Sequence, residues 1–245
     1  MEGDRLPKAS AGGGFMGSIQ EFLKKFGTIY STLVCFLSPV QSSMTFRRVL
    51  KNVLNSYGEN HVIVNLGSGP NYLKARRDIV NVDIFAFDQV DVVCDATDLP
   101  FEDESVDVVV NIAMLEHACY PEKIIKEMHR VLKSNGTIFC YLPFIVPYHA
   151  APDDFFRWTI SGCKQQFSIF KHSDVFIGAG PTSGMLWIVQ EWLSTLCSFG
   201  NKLVHDVLLL MLMVVTAPLK LIDFLIERFP SAKNIASGFG VYGRK

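Results

Sequence analysis

The sequence has no C-x-x-C pair. Its six cysteines, Cys35, Cys94, Cys119, Cys140, Cys163 and Cys197, stand singly. That argues against a zinc site or a disulfide framework, and no metal ligand set is expected. A reducing, cytoplasmic compartment is the simplest setting for such thiols. Basic excess is missing too: 23 Lys and Arg face 24 Asp and Glu, for a net charge of -1. This argues against a broad nucleic-acid footprint. No uninterrupted apolar run reaches the roughly 20 residues that a bilayer core demands. Residues 1–14 carry Glu2 and Asp4 where a secretory signal would be basic, and read as a Gly-rich disordered tail. There is no internal repeat.

What is present is apolar. The mean hydropathy is +0.24 and 49% of residues are hydrophobic, so membrane contact has to be weighed. The run Phe26 to Val40 follows Lys24-Lys25. It reads either as a late signal anchor or as a helix packing on the domain, and its shortness favours the helix. With 245 residues, the chain suits one sizeable domain with additions. The expected division is a tail over 1–14, an N-terminal helical segment over 15–58 and one domain over 59–245.

From His61 onward, short apolar runs alternate with helical patterns. Val62 to Leu66 is a buried strand that runs into Gly67-Ser68-Gly69-Pro70. Further strands are predicted at 78–83, 90–94, 106–111 and 137–142. Pro121 opens a helix to Leu132, with Ile124, Ile125, Met128 and Val131 at helical spacing. Strands apolar on both faces and separated by helices predict a parallel sheet covered on each side. Past Pro143 a helix at 159–170, a strand at 174–178, apolar helices at 185–199 and 203–229, and a last strand at 239–242 are expected. Pro218 should break the second apolar helix.

Chemistry-bearing residues collect at the carboxyl ends of these strands, where open α/β sheets bind ligands. Gly67 and Gly69 let the backbone approach a ligand closely. The dinucleotide pattern G-x-G-x-x-G fits poorly, because Tyr72 stands where its third glycine belongs. Asp83 ends the second strand, where a carboxylate can accept both hydroxyl hydrogens of a ribose. Asp95, after the third, can take the exocyclic amine of an adenine. Asp107 and Asn111 bracket the fourth strand, and Met114-Leu115-Glu116-His117 follows it.

Residues Val62 to Phe144 resemble the class I S-adenosylmethionine-dependent methyltransferases, specifically the type 11 methyltransferase-domain group. The segments that carry the resemblance are Asn65-Leu66-Gly67-Ser68-Gly69, Asn81-Val82-Asp83-Ile84, Asp95-Ala96-Thr97-Asp98-Leu99-Pro100-Phe101, Ser105-Val106-Asp107-Val108-Val109, Leu115-Glu116-His117, and Glu127 to Lys133. The resemblance implies a Rossmann-like fold. Its sheet would be mostly parallel and seven-stranded, with the last strand, Gly238 to Lys245, inserted antiparallel beside the fifth. It also implies S-adenosyl-L-methionine as cofactor. Gly67 and Gly69 would cradle the methionine part, Asp83 with Ile84 would meet the ribose, Asp95 and Ala96 would flank the adenine, and Asn65 and Asn111 would line the pocket. Asn65 departs from the acid usual in the family. Only 13 residues separate Gly69 from Asp83, so the first helix must be short or irregular. Ser134-Asn135-Gly136 replaces a Pro-Gly-Gly turn, and Asn-Gly tolerates the positive φ needed there.

A second constellation, Pro147 to Thr159, follows the fifth strand and should overhang the methyl group. His149 is the candidate base, oriented by Asp153 or Asp154. Glu116, Tyr148, Arg157 and Trp158 are expected on the substrate side. The bland alternative is an Asp154–Arg157 ion pair, a helix cap at Thr159 and a His149 bound to its own loop. His117 reads as structural. The apolar segment 185–229 is expected as a helical cap over the site, buried or dipping into a membrane interface. Leu219, Ile222, Leu225, Ile226 and Phe229 share one side of it, interrupted by Lys220, Asp223, Glu227 and Arg228. The expected function is methyl transfer to a small or lipid-like acceptor. The alternative is a non-catalytic, membrane-attached scaffold on the same fold. No nucleic-acid partner is expected.

Overall fold

A computed structural model describes residues 38–70, 73 and 76–245. The expected tail at 1–14 and most of the run 26–40 lie outside the described residues. Helix α1 spans Met44–Asn55 and is capped by Ser43, whose hydroxyl accepts the Phe46 N–H at 2.9 Å. Strands β1 (Ile63–Leu66), β2 (Ile79–Asp83), β3 (Val92–Val93) and β4 (Val106–Ile112) follow. Among the described residues between β1 and β2 there is no helix, consistent with the short spacing. A 3-10 turn at Leu115–His117 leads to α2 (Pro121–Val131) and β5 (Leu132–Pro143). Then come α3 (Ile160–Gln166), β6 (Lys171–Ala179), α4 (Pro181–Ser198), α5 (Lys202–Thr216), a 3-10 segment Ala217–Ile222, α6 (Asp223–Ile226), a 3-10 turn Pro230–Asn234, and β7 (Gly238–Arg244).

The strand order is β3-β2-β1-β4-β5-β7-β6. The first five strands pair in parallel, and β7 enters antiparallel between β5 and β6. The expected sheet is therefore present, and its last strand closes it. Alternation along the strands feeds two cores. Val64, Leu66, Val106, Val109, Ile138 and Cys140 face one way, against Ile125 and Met128 of α2 and against Cys163 of α3. Ile63, Val108, Val110 and Phe139 face the other way, against Phe46, Val53 and Leu54 of α1. Burying apolar side chains at about 1.5–3 kcal/mol each is what holds the three layers together. Asn135 adopts φ 68° in the turn inside β5, as its Asn-Gly dipeptide predicts.

The apolar helices turn one particular side toward the domain. Helix α5 ends at Thr216, before Pro218, and none of its residues is buried. It packs along α4, where the Gln190 side-chain amide donates to the Thr216 hydroxyl at 2.6 Å. In the segment after it, Lys220 and Asp223 are buried while Leu219, Ile222, Leu225 and Phe229 are exposed. Two of the polar residues read as interruptions of an apolar face, Lys220 and Asp223, are thus turned toward the domain, while Arg228 is exposed. They have partners there: Asp223 accepts the backbone N–H groups of Thr182 and Ser183, at 2.6 and 3.0 Å, and the Lys220 ammonium donates to the Ser38 carbonyl at 2.7 Å.

Candidate functional site

Parallel strands end together, so the loops after β1, β2, β3 and β4 converge at one edge of the sheet. Gly67 and Gly69 follow β1 at φ 70° and 59°, a conformation that side chains disfavour. The N–H groups of Gly67 and Ser68 both point back to the Val82 carbonyl, at 2.8 and 3.1 Å, and tie the turn to β2. A Cβ on Gly69 would meet nothing within 4 Å among the described residues, whereas one on Gly67 would sit 2.4 Å from Met114 Cγ. No described residue therefore stands above the second glycine, and the flexible Met114 side chain lies across the first.

Asp83 is buried at the end of β2. One carboxylate oxygen accepts the Gly69 N–H at 2.7 Å, and the other accepts the Phe85 N–H at 2.9 Å. A carboxylate offers about four acceptor positions, so capacity remains for two hydroxyls. Asp95 is exposed after β3 and accepts the backbone N–H and hydroxyl of Thr97, both at 2.8 Å and both on Oδ1. Ala96 beside it and Ile84 after Asp83 are half-buried. Asn111 lies fully buried near the end of β4; its amide donates to the Leu66 carbonyl at 2.8 Å, and its Oδ1 has no partner among the described residues. Asn65 is committed elsewhere: its amide donates to the Asn81 Oδ1 at 3.0 Å, inside the sheet. The geometry thus brings Gly67, Gly69, Asp83 and Asn111 together at one edge with Asp95 beside them, and sets Asn65 one layer below.

The loop after β5 overhangs the same edge. Asp154 takes a bidentate ion pair from Arg157, at 2.5 Å on each oxygen, and also accepts the His149 backbone N–H at 2.8 Å. The guanidinium holds its carboxyl down to about 2, so it stays ionised. Thr159 caps α3 through the Gly162 N–H. Those features match the bland alternative for this loop. Asp153 is exposed and its contribution is a backbone carbonyl, which binds His117 Nδ1 at 2.6 Å. Tyr148 is 71% exposed, and Trp158 is buried in the core. Neither Asp153 nor Asp154 places a carboxylate in hydrogen-bond reach of the His149 ring, the closer approach being 3.6 Å from Asp154.

The acid that does face His149 is Glu116. Its side chain is fully buried, and neither of its oxygens has a hydrogen-bond partner among the described residues. The Nε2 atoms of His149 and His117 each lie 3.9 Å from its Oε1. The Glu116 carboxylate pulls the His149 imidazole above its usual pKa against the opposing effect of burial. The two imidazoles meet edge to face at 5.4 Å, and the Trp187 ring of α4 covers His149 at 5.5 Å. His117, read as structural, and Trp187, 38 positions beyond His149, both belong to this wall. The adjacent Glu116-His117 pair was a usable signal for the first. Nothing local marks Trp187, because only the crossing of α4 brings it there.

Residues 50–140 match the family described as a methyltransferase domain. None of the curated proteins matches the chain. A putative methyltransferase from an antibiotic biosynthesis pathway of Anabaena variabilis superposes with a TM-score of 0.50 at 16% identity, over 80% of this chain and 96% of that one. Phosphoethanolamine N-methyltransferase 2 of Haemonchus contortus, in complex with phosphomonomethylethanolamine and S-adenosylhomocysteine, gives 0.49 at 12% identity. It is covered over 52% of its length, so this chain spans about half of that protein, with 82% of its own residues. The matched segment carries the glycine turn, Asp83, Asp95 and Asn111, and the seven-stranded sheet closed by β7 gives the chain the Rossmann-like methyltransferase fold.

Proposed function

We propose that the protein transfers a methyl group from S-adenosylmethionine to an oxygen or nitrogen of a small or lipid-like acceptor. The observation that carries this reading is the adjacency of two half-sites: the glycine turn with Asp83, and the wall of Glu116, His117 and His149. Bound at the glycine turn, the cofactor supplies a methyl group already activated on a sulfonium. Asp83 would hold the ribose hydroxyls. Asp95 would take the adenine amine, with Ala96 against the ring. Gly67 and Gly69 leave room for the methionine part, and Asn111 Oδ1 remains for one of its donors. Alignment of the acceptor lone pair with the S–CH₃ bond supplies much of the acceleration. His149 promotes loss of the acceptor's proton, and the charge of Glu116, 3.9 Å from its Nε2, favours the imidazolium that results.

Purified protein incubated with a cell extract and a labelled methyl donor should mark a discrete acceptor. Cofactor binding without any labelled product would support the scaffold reading instead. His149→Ala should lower that turnover by roughly 10²-fold or more and leave cofactor affinity nearly unchanged, since the ring lies on the acceptor side. Equal loss of both would make His149 a support of the cofactor pocket.

The apolar hairpin favours an acceptor met at a lipid interface. Trp192, Leu196, Phe199, Leu203, Met211 and Val215 are all exposed on α4 and α5 and the turn between them. Among the described residues, the helical stretch Lys202–Ile226 is long and apolar enough to cross a membrane. Peripheral attachment is the better reading, because Asp223 and Lys220 hold the end of that stretch against the domain. Alkaline carbonate is expected to release the protein from membranes. Retention that only detergent reverses would contradict it.

A further inference from the structure

We infer that Glu116, His117 and His149 form a binding site for a divalent transition-metal ion. The argument starts from Glu116. A carboxylate with no exposure and, among the described residues, no hydrogen bond to either oxygen is costly to keep charged unless a cation compensates it. Two imidazole nitrogens face the same oxygen at 3.9 Å, too far for a hydrogen bond. The other ring nitrogens say what these two carry. His117 Nδ1 lies 2.6 Å from the Asp153 carbonyl, and His149 Nδ1 lies 3.0 Å from the Pro147 carbonyl. A carbonyl only accepts, so each Nδ1 bears the hydrogen, and a neutral ring then presents a lone pair at Nε2.

Arg157 does not change this assignment. Its Nη2 lies 3.3 Å from His149 Nδ1, yet the two hydrogens of that nitrogen are committed to the Pro147 carbonyl and to Asp154. With both rings in this neutral form, three electron-pair donors converge, with all their ligand atoms within 4.8 Å of one another. A contraction of well under an ångström per atom would bring them to bonding distance of one ion at about 2.0–2.2 Å.

The surroundings are those of a metal site. Imidazoles that ligate metals almost always anchor their second nitrogen on a carbonyl or carboxylate, as both do here. The Phe155 N–H holds the Glu116 carbonyl at 2.7 Å, which joins the loop bearing His149 to the turn bearing the other two donors. The Asp154–Arg157 pair stiffens that loop, and Trp187 covers one ring. Two nitrogen donors disfavour magnesium and calcium, and a two-histidine, one-carboxylate set leaves coordination positions open for water or acceptor. The existence of the site rests on the cluster alone. Its role rests on the proposed methyl transfer: His149 would act by holding an ion that binds and polarises the acceptor.

The test uses the full chain, stripped by chelator and titrated calorimetrically with Zn²⁺, with Co²⁺ absorption as a second readout. One equivalent is expected to bind. The near-isosteric Glu116→Gln and the double variant His117→Ala with His149→Ala should each bind at least about 100-fold more weakly and lose the Co²⁺ ligand-field bands while retaining wild-type circular dichroism. Failure of the wild-type chain to bind either ion, or undiminished binding in the folded variants, would overturn the inference. Asp83→Ala serves as the separating control: it should keep the ion and lose S-adenosylmethionine, so the ion site and the methyl-transfer reading can fail independently.

Discussion

Asp83→Ala is expected to abolish measurable binding of S-adenosylmethionine by a chain that still folds. The carboxylate meets two ribose hydroxyls in the proposed complex, and a hydrogen bond to a charged group contributes about 1.5–3 kcal/mol. Loss of both corresponds to a roughly 10²- to 10⁴-fold weaker complex. A second effect acts in the same direction. The same carboxylate holds the Gly69 and Phe85 N–H groups, so the alanine variant also frees the glycine turn that the methionine part must cross. Asp83→Asn separates the two contributions. It keeps the size and one acceptor oxygen, and should bind more weakly than wild type but more tightly than alanine. Isothermal calorimetry, with circular dichroism as the folding control, reads both. Unchanged affinity in a folded Asp83→Ala protein would remove Asp83 from the site.

The second large effect concerns stability. Helix α4 begins at Pro181 and its N-cap, Gly180, has no side chain to offer. The first N–H groups of a helix need acceptors from outside it. Here Asp223 supplies both of its oxygens, from 40 residues away and fully inside the protein. Its negative charge also suits the positive end of the helix dipole. Asp223→Ala leaves two buried N–H groups without acceptors, a loss of roughly 2–4 kcal/mol. For a chain of this size that lowers the unfolding midpoint by on the order of 10 °C. Asp223→Asn retains one acceptor and should recover part of the loss. Scanning calorimetry checks the ranking. If Asp223→Ala unfolds with wild type, the segment 217–226 is not held by this cap.

Why some of this was readable in advance, and some not, is a matter of range. The β1 turn is a local fact: an apolar strand followed by Gly67 and Gly69 at positive φ needs no other part of the chain to exist. The same holds for Pro121 opening α2, for Asn135 in the β5 turn and for Thr159 capping α3. The positions of Asp83 and Asp95 were legible because parallel strands end at one edge, so a residue's place in its strand implies its place along that edge. The partner of His149 was not legible. Asp153 and Asp154 are near in sequence, yet Arg157 claims one, and the other offers only its carbonyl, to His117. Glu116 arrives from the loop after β4, 33 positions earlier, and Trp187 arrives from α4.

The apolar helices show the limit most clearly. Spacing alone placed Leu219, Ile222, Leu225 and Phe229 on one side and Lys220 and Asp223 on another, which holds. It did not say which side faces the domain. The sequence by itself determined the strands, their carboxyl-terminal acids and the glycine turn, because these follow from side-chain periodicity and backbone sterics over a few residues. The tertiary structure alone decided that Glu116 meets His117 and His149, and that Asp223 turns inward to cap α4. Both depend on desolvated charges finding partners across the fold, and no local pattern encodes which partner is within reach.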